Sequence, residues 1–169
     1  LDAVALGLLR KLLIDTLGEA GARGLLTRFG FAHGWRTAES LRTAFPWDDE
    51  DEWRHAGGRL HTVQGLVVAV APEGDAAPGP KPVGDSIWLD SYEAEQHLVH
   101  LGQAAHPVCW TLTGFASGYL SRVWGREVYA LETRCRGKGD AVCRVVARPR
   151  EEWGDEIGAE LPYYAEDCL

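Results

Sequence analysis

Three features of the sequence predict an α+β fold in a single domain. The first third has a helical pattern. The middle alternates short β-rich runs with capped helices. Near the end, two cysteines flank a glycine-rich turn between two strand-like runs. The expected architecture is amino-terminal helices, a mixed α/β core able to hold a ligand, and a β-hairpin region.

From Ala5 to Ile14, apolar residues recur at spacings of three and four, and Gly18 is the expected stop of this helix. The stripe Leu6, Leu9, Leu13, Leu17 reads as core, with a dimer seam as the alternative, so residues 1–20 form a helix that is also a candidate dimerisation element. A second helix is expected from about Ala20 to Phe45, ended by Pro46. Its aromatic residues Phe29, Phe31 and Trp35 read as core, with a pocket wall as the alternative.

The acidic stretch from Asp48 to Trp53 reads as a solvated loop. His61 to Val70 reads as strand, broken near Gly65, because it is rich in β-branched residues. Pro72 to Pro82 reads as a loose loop tip. Ser86 to Leu89 is a short strand, and Ser91 caps a helix through His100 with Glu93 and Glu95 in its first turns. Cys109 opens a helix to Val123 that contains the small residues Gly114, Ala116, Ser117 and Gly118. Glu127 to Cys135 and Val142 to Ala147 are strands joined by a hairpin turn at Arg136 to Asp140. Glu151 to Leu169 is acidic and reads as the start of a linker.

The chain has 169 residues and a formal net charge of −8. That acidity argues against a nucleic-acid surface, which needs clustered Lys and Arg. No apolar run reaches transmembrane length, and no signal-peptide pattern opens the chain. It starts at Leu1 and holds no Met, which reads as a fragment of something longer. Four cysteines, all in the second half, do not make a secreted disulfide framework, so a cytoplasmic location is expected and metal binding becomes the live role for them.

Cys135 and Cys143 flank the hairpin turn, and Cys109 stands where a helix N-terminus favours a thiolate. Together with Glu132 they make a candidate closed tetrahedral zinc site, whereas catalytic zinc keeps an open position. Spacing alone leaves buried free thiols equally open. Cys168 reads as a bystander. The remaining histidines (His33, His55, His97, His100, His106) form no metal-ligand pattern, and His97 and His100 share a solvated helix face.

The chain also contains an ordered series: Phe29-Gly30-Phe31-Ala32-His33-Gly34, Leu60-His61-Thr62, Trp88 with Ser91-Tyr92-Glu93-Ala94, Cys109-Trp110, Gly114-Phe115-Ala116-Ser117-Gly118-Tyr119, Glu132-x-x-Cys135 with Cys143, and Glu152-Trp153-Gly154. This series resembles the amino-terminal sensor domain of the phenol- and xylene-responsive activators that work with the sigma-54 factor. The later part is similar to the vinyl-4-reductase-type region of those sensors.

The resemblance implies a non-enzymatic sensor over residues 21–150 that binds a small aromatic effector (phenol, cresol or alkylbenzene). It further implies a homodimer and an attached ATPase domain beyond residues 151–169, held repressed until the effector arrives. It implies structural Zn2+ on Cys109, Glu132, Cys135 and Cys143, and a hydroxyl-reading pair at His61 and Trp88. Phe115 and Tyr129 are expected in the walls. Ala130 leaves space where a larger side chain would close the pocket, so alkylbenzenes, substituted phenols and a two-ring phenol all stay open as effectors. Taken without the resemblance, His61 reads as a structural histidine. Two other readings compete with the sensor. One is a zinc enzyme acting on a small aromatic, although no nucleophile–base pair or phosphate loop supports it. The other is a scaffold domain without a small ligand.

Overall fold

The computed structural model describes residues 2–74 and 77–164. Helix α1 (Ala3–Ala44) opens on Asp2, whose side chain accepts from the Ala5 N–H at 3.0 Å. It is broken at Gly18 (φ 72°, ψ 168°), so the expected stop is a junction between two helical segments. That backbone conformation suits glycine, which carries no Cβ. The second segment ends at Ala44, and Phe45 is pushed to extended geometry by the proline that follows it.

Helix α2 (Glu50–Val63) replaces the predicted acidic loop and the first half of the predicted strand. Asp49 caps it by accepting from the Asp51 N–H at 2.9 Å. Glu50, Asp51 and Glu52 lie in the first turn, where the helix dipole favours negative charge. Trp53, Gly57 and His61, four residues apart, form its buried face. The β-branched Thr62 and Val63 sit in the last turn, where they cost the helix little. His61 is therefore a helical residue.

Strands β1 (Val68–Val70), β2 (Gly84–Leu89), β3 (Val128–Arg134) and β4 (Cys143–Pro149) form one antiparallel sheet in the order β1-β2-β4-β3. Helix α3 (Tyr92–Leu101) is capped by Ser91 as predicted, and α4 (Trp110–Trp124) follows Cys109. The hairpin turn between β3 and β4 contains a 3-10 turn at Arg136–Lys138.

Helix α4 lies between α1 and the sheet. Leu112 and its neighbours Ala116 and Leu120 pack on the sheet core with Val145 and Ala147. The opposite face meets α1 backbone to backbone. A Cβ added at Gly118 would sit 2.0 Å from the Phe31 carbonyl oxygen, and one at Gly114 would sit 2.2 Å from that of Thr27. The reciprocal additions at Gly30 and Gly34 would meet the carbonyls of Thr111 and Phe115 at 2.2 and 2.1 Å. The face of the second α1 segment that meets α4 is thus made of small residues.

The aromatic cluster predicted as core does not fill that contact: Phe29 is 60% and Trp35 37% exposed. The leucine stripe is only partly covered: Leu6 and Leu13 are half-buried while Leu9 and Leu17 are exposed, as are Leu8 and Leu12, because the first segment of α1 is covered on one side only.

The segment read as the start of a linker is packed as far as Tyr164. Trp153 and Ile157 are buried, the Trp153 indole donates to the Tyr129 carbonyl at 2.9 Å, and Arg23 pairs with Glu160 at 2.6 Å. Short helix α5 (Leu161–Tyr164) sends the Tyr164 hydroxyl to Ser117 at 3.0 Å. Cys168 lies outside the described residues. Within the loop after β1, Arg148 donates to the carbonyls of Pro78 and Pro80. No described helix is long and apolar enough to cross a membrane.

Gly118→Val is expected to cost about 3 kcal/mol or more, because its branches would collide with rigid backbone. Gly158→Ala, where an added Cβ meets nothing within 4 Å, should stay within about 0.5 kcal/mol of the parent. Denaturant unfolding of both variants checks this. Equal effects would mean that α1 and α4 are not in backbone contact.

Candidate functional site

The first site lies where α4, β3 and β4 begin or end. Cys109 precedes α4, Glu132 lies on β3, Cys135 follows β3, and Cys143 starts β4. Their ligating atoms all fall within 4.8 Å of one another, so this Cys3Glu cluster can hold a metal ion. The three sulfurs are free and buried, and Cys109 Sγ lies 3.9 Å from Cys143 Sγ. A tetrahedron with metal–sulfur bonds of about 2.3 Å has edges of about 3.8 Å, so the spacing fits. A disulfide needs about 2.05 Å.

Backbone donors aim at the sulfurs. The Val108 N–H reaches Cys135 Sγ at 3.4 Å, and the Arg136 N–H reaches Cys143 Sγ at 3.3 Å. Glu132 Oε2 accepts from the Cys109 N–H at 3.1 Å, while its Oε1 is buried without a partner. Four acids this close cannot all ionise unaided. Hydrogen bonds from Cys109 and Cys143 hold the Cys135 thiol far below its ordinary range. Burial pushes Cys109 well up and Glu132 to about 8. A dication would resolve that conflict. The donor chemistry and the free Glu132 oxygen both fit one.

The start of α4 is held by a buried pair that the sequence did not single out. Glu93 accepts from the backbone N–H groups of Thr111 (3.0 Å) and Leu112 (2.9 Å) and from Arg10 Nη1 (2.8 Å). Arg10 also donates to the Val108 carbonyl at 2.6 Å and lies over the Trp110 ring at 3.9 Å. In the sequence Glu93 read only as an acid favouring the start of α3; nothing local marks its reach across to α4.

The second site is a cavity of about 370 Å³ between α2, α4 and the sheet. His61 from α2, Trp88 from β2 and Phe115 from α4 all line it, and all three are at most 5% exposed. The His61 and Phe115 rings are 4.1 Å apart. Both His61 ring nitrogens are buried with no hydrogen-bond partner among the described residues. Burial, and then the nearby His33, lower the His61 pKa to about 4, so the ring is neutral near pH 7. Trp88 is the cross-strand neighbour of Cys143, which ties the cavity to the metal-ligand cluster.

Three predicted wall residues therefore come together, and Tyr129 does not. It alternates with Val128 and Ala130 on β3. Those two face α4, while Tyr129 turns to the other face and packs on Tyr164, ring centroids 4.9 Å apart. Ala130 lines the cavity instead. The sequence also gave no notice of Gly84 and Ala147 as lining, although their places in the alternation of β2 and β4 mark the face they occupy.

Comparison with known proteins decides the family. Residues 1–75 match the family described as activator of aromatic catabolism, and residues 88–149 match the V4R domain. The transcriptional regulatory protein XylR of Pseudomonas putida is 36% identical over 161 residues, or 95% of this chain. The phenol regulator MopR of Acinetobacter guillouiae is 37% identical over 155 residues, or 90% of it. The chain spans 28% of the length of each of these relatives. The crystal structure of the phenol-responsive sensory domain of the transcription activator PoxR with phenol superposes with a TM-score of 0.85 at 38% identity. That match covers 99% of this chain and 83% of the other.

This chain belongs to that family of sensory domains.

In the sensory domain, the expected behaviour of His61 follows from its burial. Its folded pKa lies below the unfolded value, so its contribution to stability is present above about pH 6.5 and is lost as pH falls through about 4. The difference amounts to about 3 kcal/mol. An imidazole titration followed by NMR should give a midpoint near 4. A midpoint near 6.5 would contradict a dry, unpaired ring.

Proposed function

We propose that the sensory domain binds a small phenolic or alkylbenzene effector in the cavity between α2, α4 and the sheet. It returns the effector chemically unchanged, and its output is relief of repression of an attached ATPase domain in a cytoplasmic sigma-54-dependent activator. The observation that carries this reading is His61: a neutral, buried imidazole whose two nitrogens have no partner among the described residues, in a cavity that Trp88 and Phe115 also line. Phenol is complementary to His61 and Trp88, because its hydroxyl can accept from the indole and donate to the imidazole. A relative is named as a phenol regulator, and the similar solved domain holds phenol, which supports the same ligand class here.

Zinc is the ion we assign to Cys109, Glu132, Cys135 and Cys143. A four-ligand set of this kind is closed, so the metal would cross-link α4 to the β3–β4 hairpin and leave no position for a substrate. The exposed leucines of α1 support a homodimer, in which a second copy would cover them.

Two outcomes follow. Purified protein should carry about one zinc per chain, and Cys135→Ser should yield unfolded or aggregated material, since structural zinc contributes on the order of 10 kcal/mol to folding. A well-folded, zinc-free sample would defeat the assignment. In calorimetric titration, His61→Ala should weaken phenol binding by roughly ten- to a hundredfold, reflecting a stranded hydroxyl worth about 1–3 kcal/mol, and should spare toluene. Equal loss of phenol and toluene would make His61 a structural residue.

A further inference from the structure

Neither Arg10 nor Glu93 belongs to the metal-ligand cluster, yet together they grip the backbone on both sides of Cys109. Arg10 comes from the first segment of α1 and Glu93 from α3, two elements that supply none of its four ligands. The peptide group that joins Val108 to Cys109 is held at both ends. Its carbonyl accepts from Arg10 Nη2 at 2.6 Å, and its N–H donates to Glu132 Oε2 at 3.1 Å. Val108 sends its own N–H to Cys135 Sγ at 3.4 Å. Beyond Cys109, Glu93 accepts from the N–H groups of Thr111 and Leu112. Arg10 Nη1 donates to the same Glu93 at 2.8 Å, so one buried pair brackets Cys109.

Stability alone does not account for the pair. Both side chains are at most 4% exposed, and desolvating two charges offsets most of what they gain from each other. What only a charged pair supplies is direction. The forked guanidinium fixes one carbonyl and one carboxylate at once, and the carboxylate fixes two N–H groups. The peptide plane before Cys109 and the helical turn after it are both held, which leaves Cys109 Sγ little freedom to leave the cluster. The series also polarises along its length. A carbonyl drawn by a guanidinium makes the N–H of its peptide group a stronger donor to Glu132.

We infer that Arg10 and Glu93 are positioning residues of the metal site, setting its affinity and ligand geometry from outside the ligand set. The inference rests on the metal assignment above and adds to it the pair that orients Cys109 and Glu132. Through Arg10, the first segment of α1, with its exposed leucines, has a hold on the metal ligands.

Chelator-competition titration of Zn2+ and visible spectra of the Co2+-loaded protein test it, on the parent, Arg10→Lys and Ser121→Ala. Arg10→Lys keeps a charge opposite Glu93 but gives up the fork. Ser121→Ala removes a buried hydroxyl that bonds both the N–H and the carbonyl of Val128, about 18 Å along α4 from Cys109. It disturbs the same helix without touching the ligands. Arg10→Lys should weaken Zn2+ binding by about tenfold or more and shift the Co2+ bands. Ser121→Ala should leave the affinity within about twofold and the spectrum unchanged. Equal weakening by the two variants, or parent-like affinity and spectrum in Arg10→Lys, would overturn the inference. If Arg10→Lys does not fold, the parent alone decides. Exchanging Zn2+ for the larger Cd2+ should move the Arg10 guanidinium resonances in 15N-resolved NMR. Those of Arg148, which donates to the carbonyls of Pro78 and Pro80, should stay in place. Unmoved Arg10 resonances would defeat the inference. If the parent binds neither Zn2+ nor Co2+, the metal assignment falls and the inference falls with it.

Discussion

Four glycines hold α1 and α4 in backbone contact, and the position of every other element depends on that contact. Gly30 and Gly34 face Gly114 and Gly118, and a single methyl group at any of them would come within about 2.2 Å of a carbonyl oxygen. The close approach fixes α4 against a rigid partner. Phe115 lies between two of these glycines in sequence, so its ring is carried to the cavity from a backbone that cannot shift. Tyr119, one turn further, donates its hydroxyl to the Trp53 carbonyl at 2.5 Å and ties α2 to the same helix. The cavity is thus bounded on two sides by helices whose spacing is set elsewhere.

The start of α4 is a second fixed point. Glu93 accepts its first free backbone N–H groups, and Arg10 neutralises Glu93 inside the protein. Removing either partner alone would leave an uncompensated buried charge, which is far costlier than the pair. Cys109 stands immediately before this turn, so the Cys3Glu cluster, α1 and α3 converge on one helix end. Trp88 joins the same assembly through its cross-strand neighbour Cys143. A ligand contacting Trp88, Phe115 and His61 would therefore touch three elements that are each held by buried polar or metal-ligand groups.

Much of this was legible in the sequence where a local rule decides the outcome. Ser91 and the acids after it mark α3, and the glycine-rich turn marks the β3–β4 hairpin. Gly18 marks the break in α1, as its positive φ bears out. The convergence of Cys109, Glu132, Cys135 and Cys143 was legible from the resemblance, while spacing alone left it open. The failures have a common physical cause, because the deciding interaction lay far away in the chain. Helix α2 was hidden behind β-branched Thr62 and Val63, although Asp49 and its acidic first turn were signals in plain view. Tyr129 was assigned to the wrong face of β3, because alternation fixes a pattern but not which side meets α4. The exposed Phe29 and Trp35 went unforeseen because α1 meets α4 through its small residues, and the value of a glycine there is visible only once both helices are in place.

The central claim is that a phenol hydroxyl is read between His61 and Trp88. The protein has seven tryptophans, and the indoles of Trp47, Trp53, Trp110 and Trp153 already donate to backbone carbonyls of the chain. Among the described residues the Trp88 indole makes no such bond, and Trp88 lines the cavity with His61, so its resonance can report a ligand hydroxyl. In 15N-resolved NMR of the metal-loaded protein, saturating phenol should shift the Trp88 indole N–H strongly downfield and move the His61 ring nitrogens, while those four indoles stay in place. Saturable phenol binding that leaves the Trp88 and His61 signals unmoved would contradict the account.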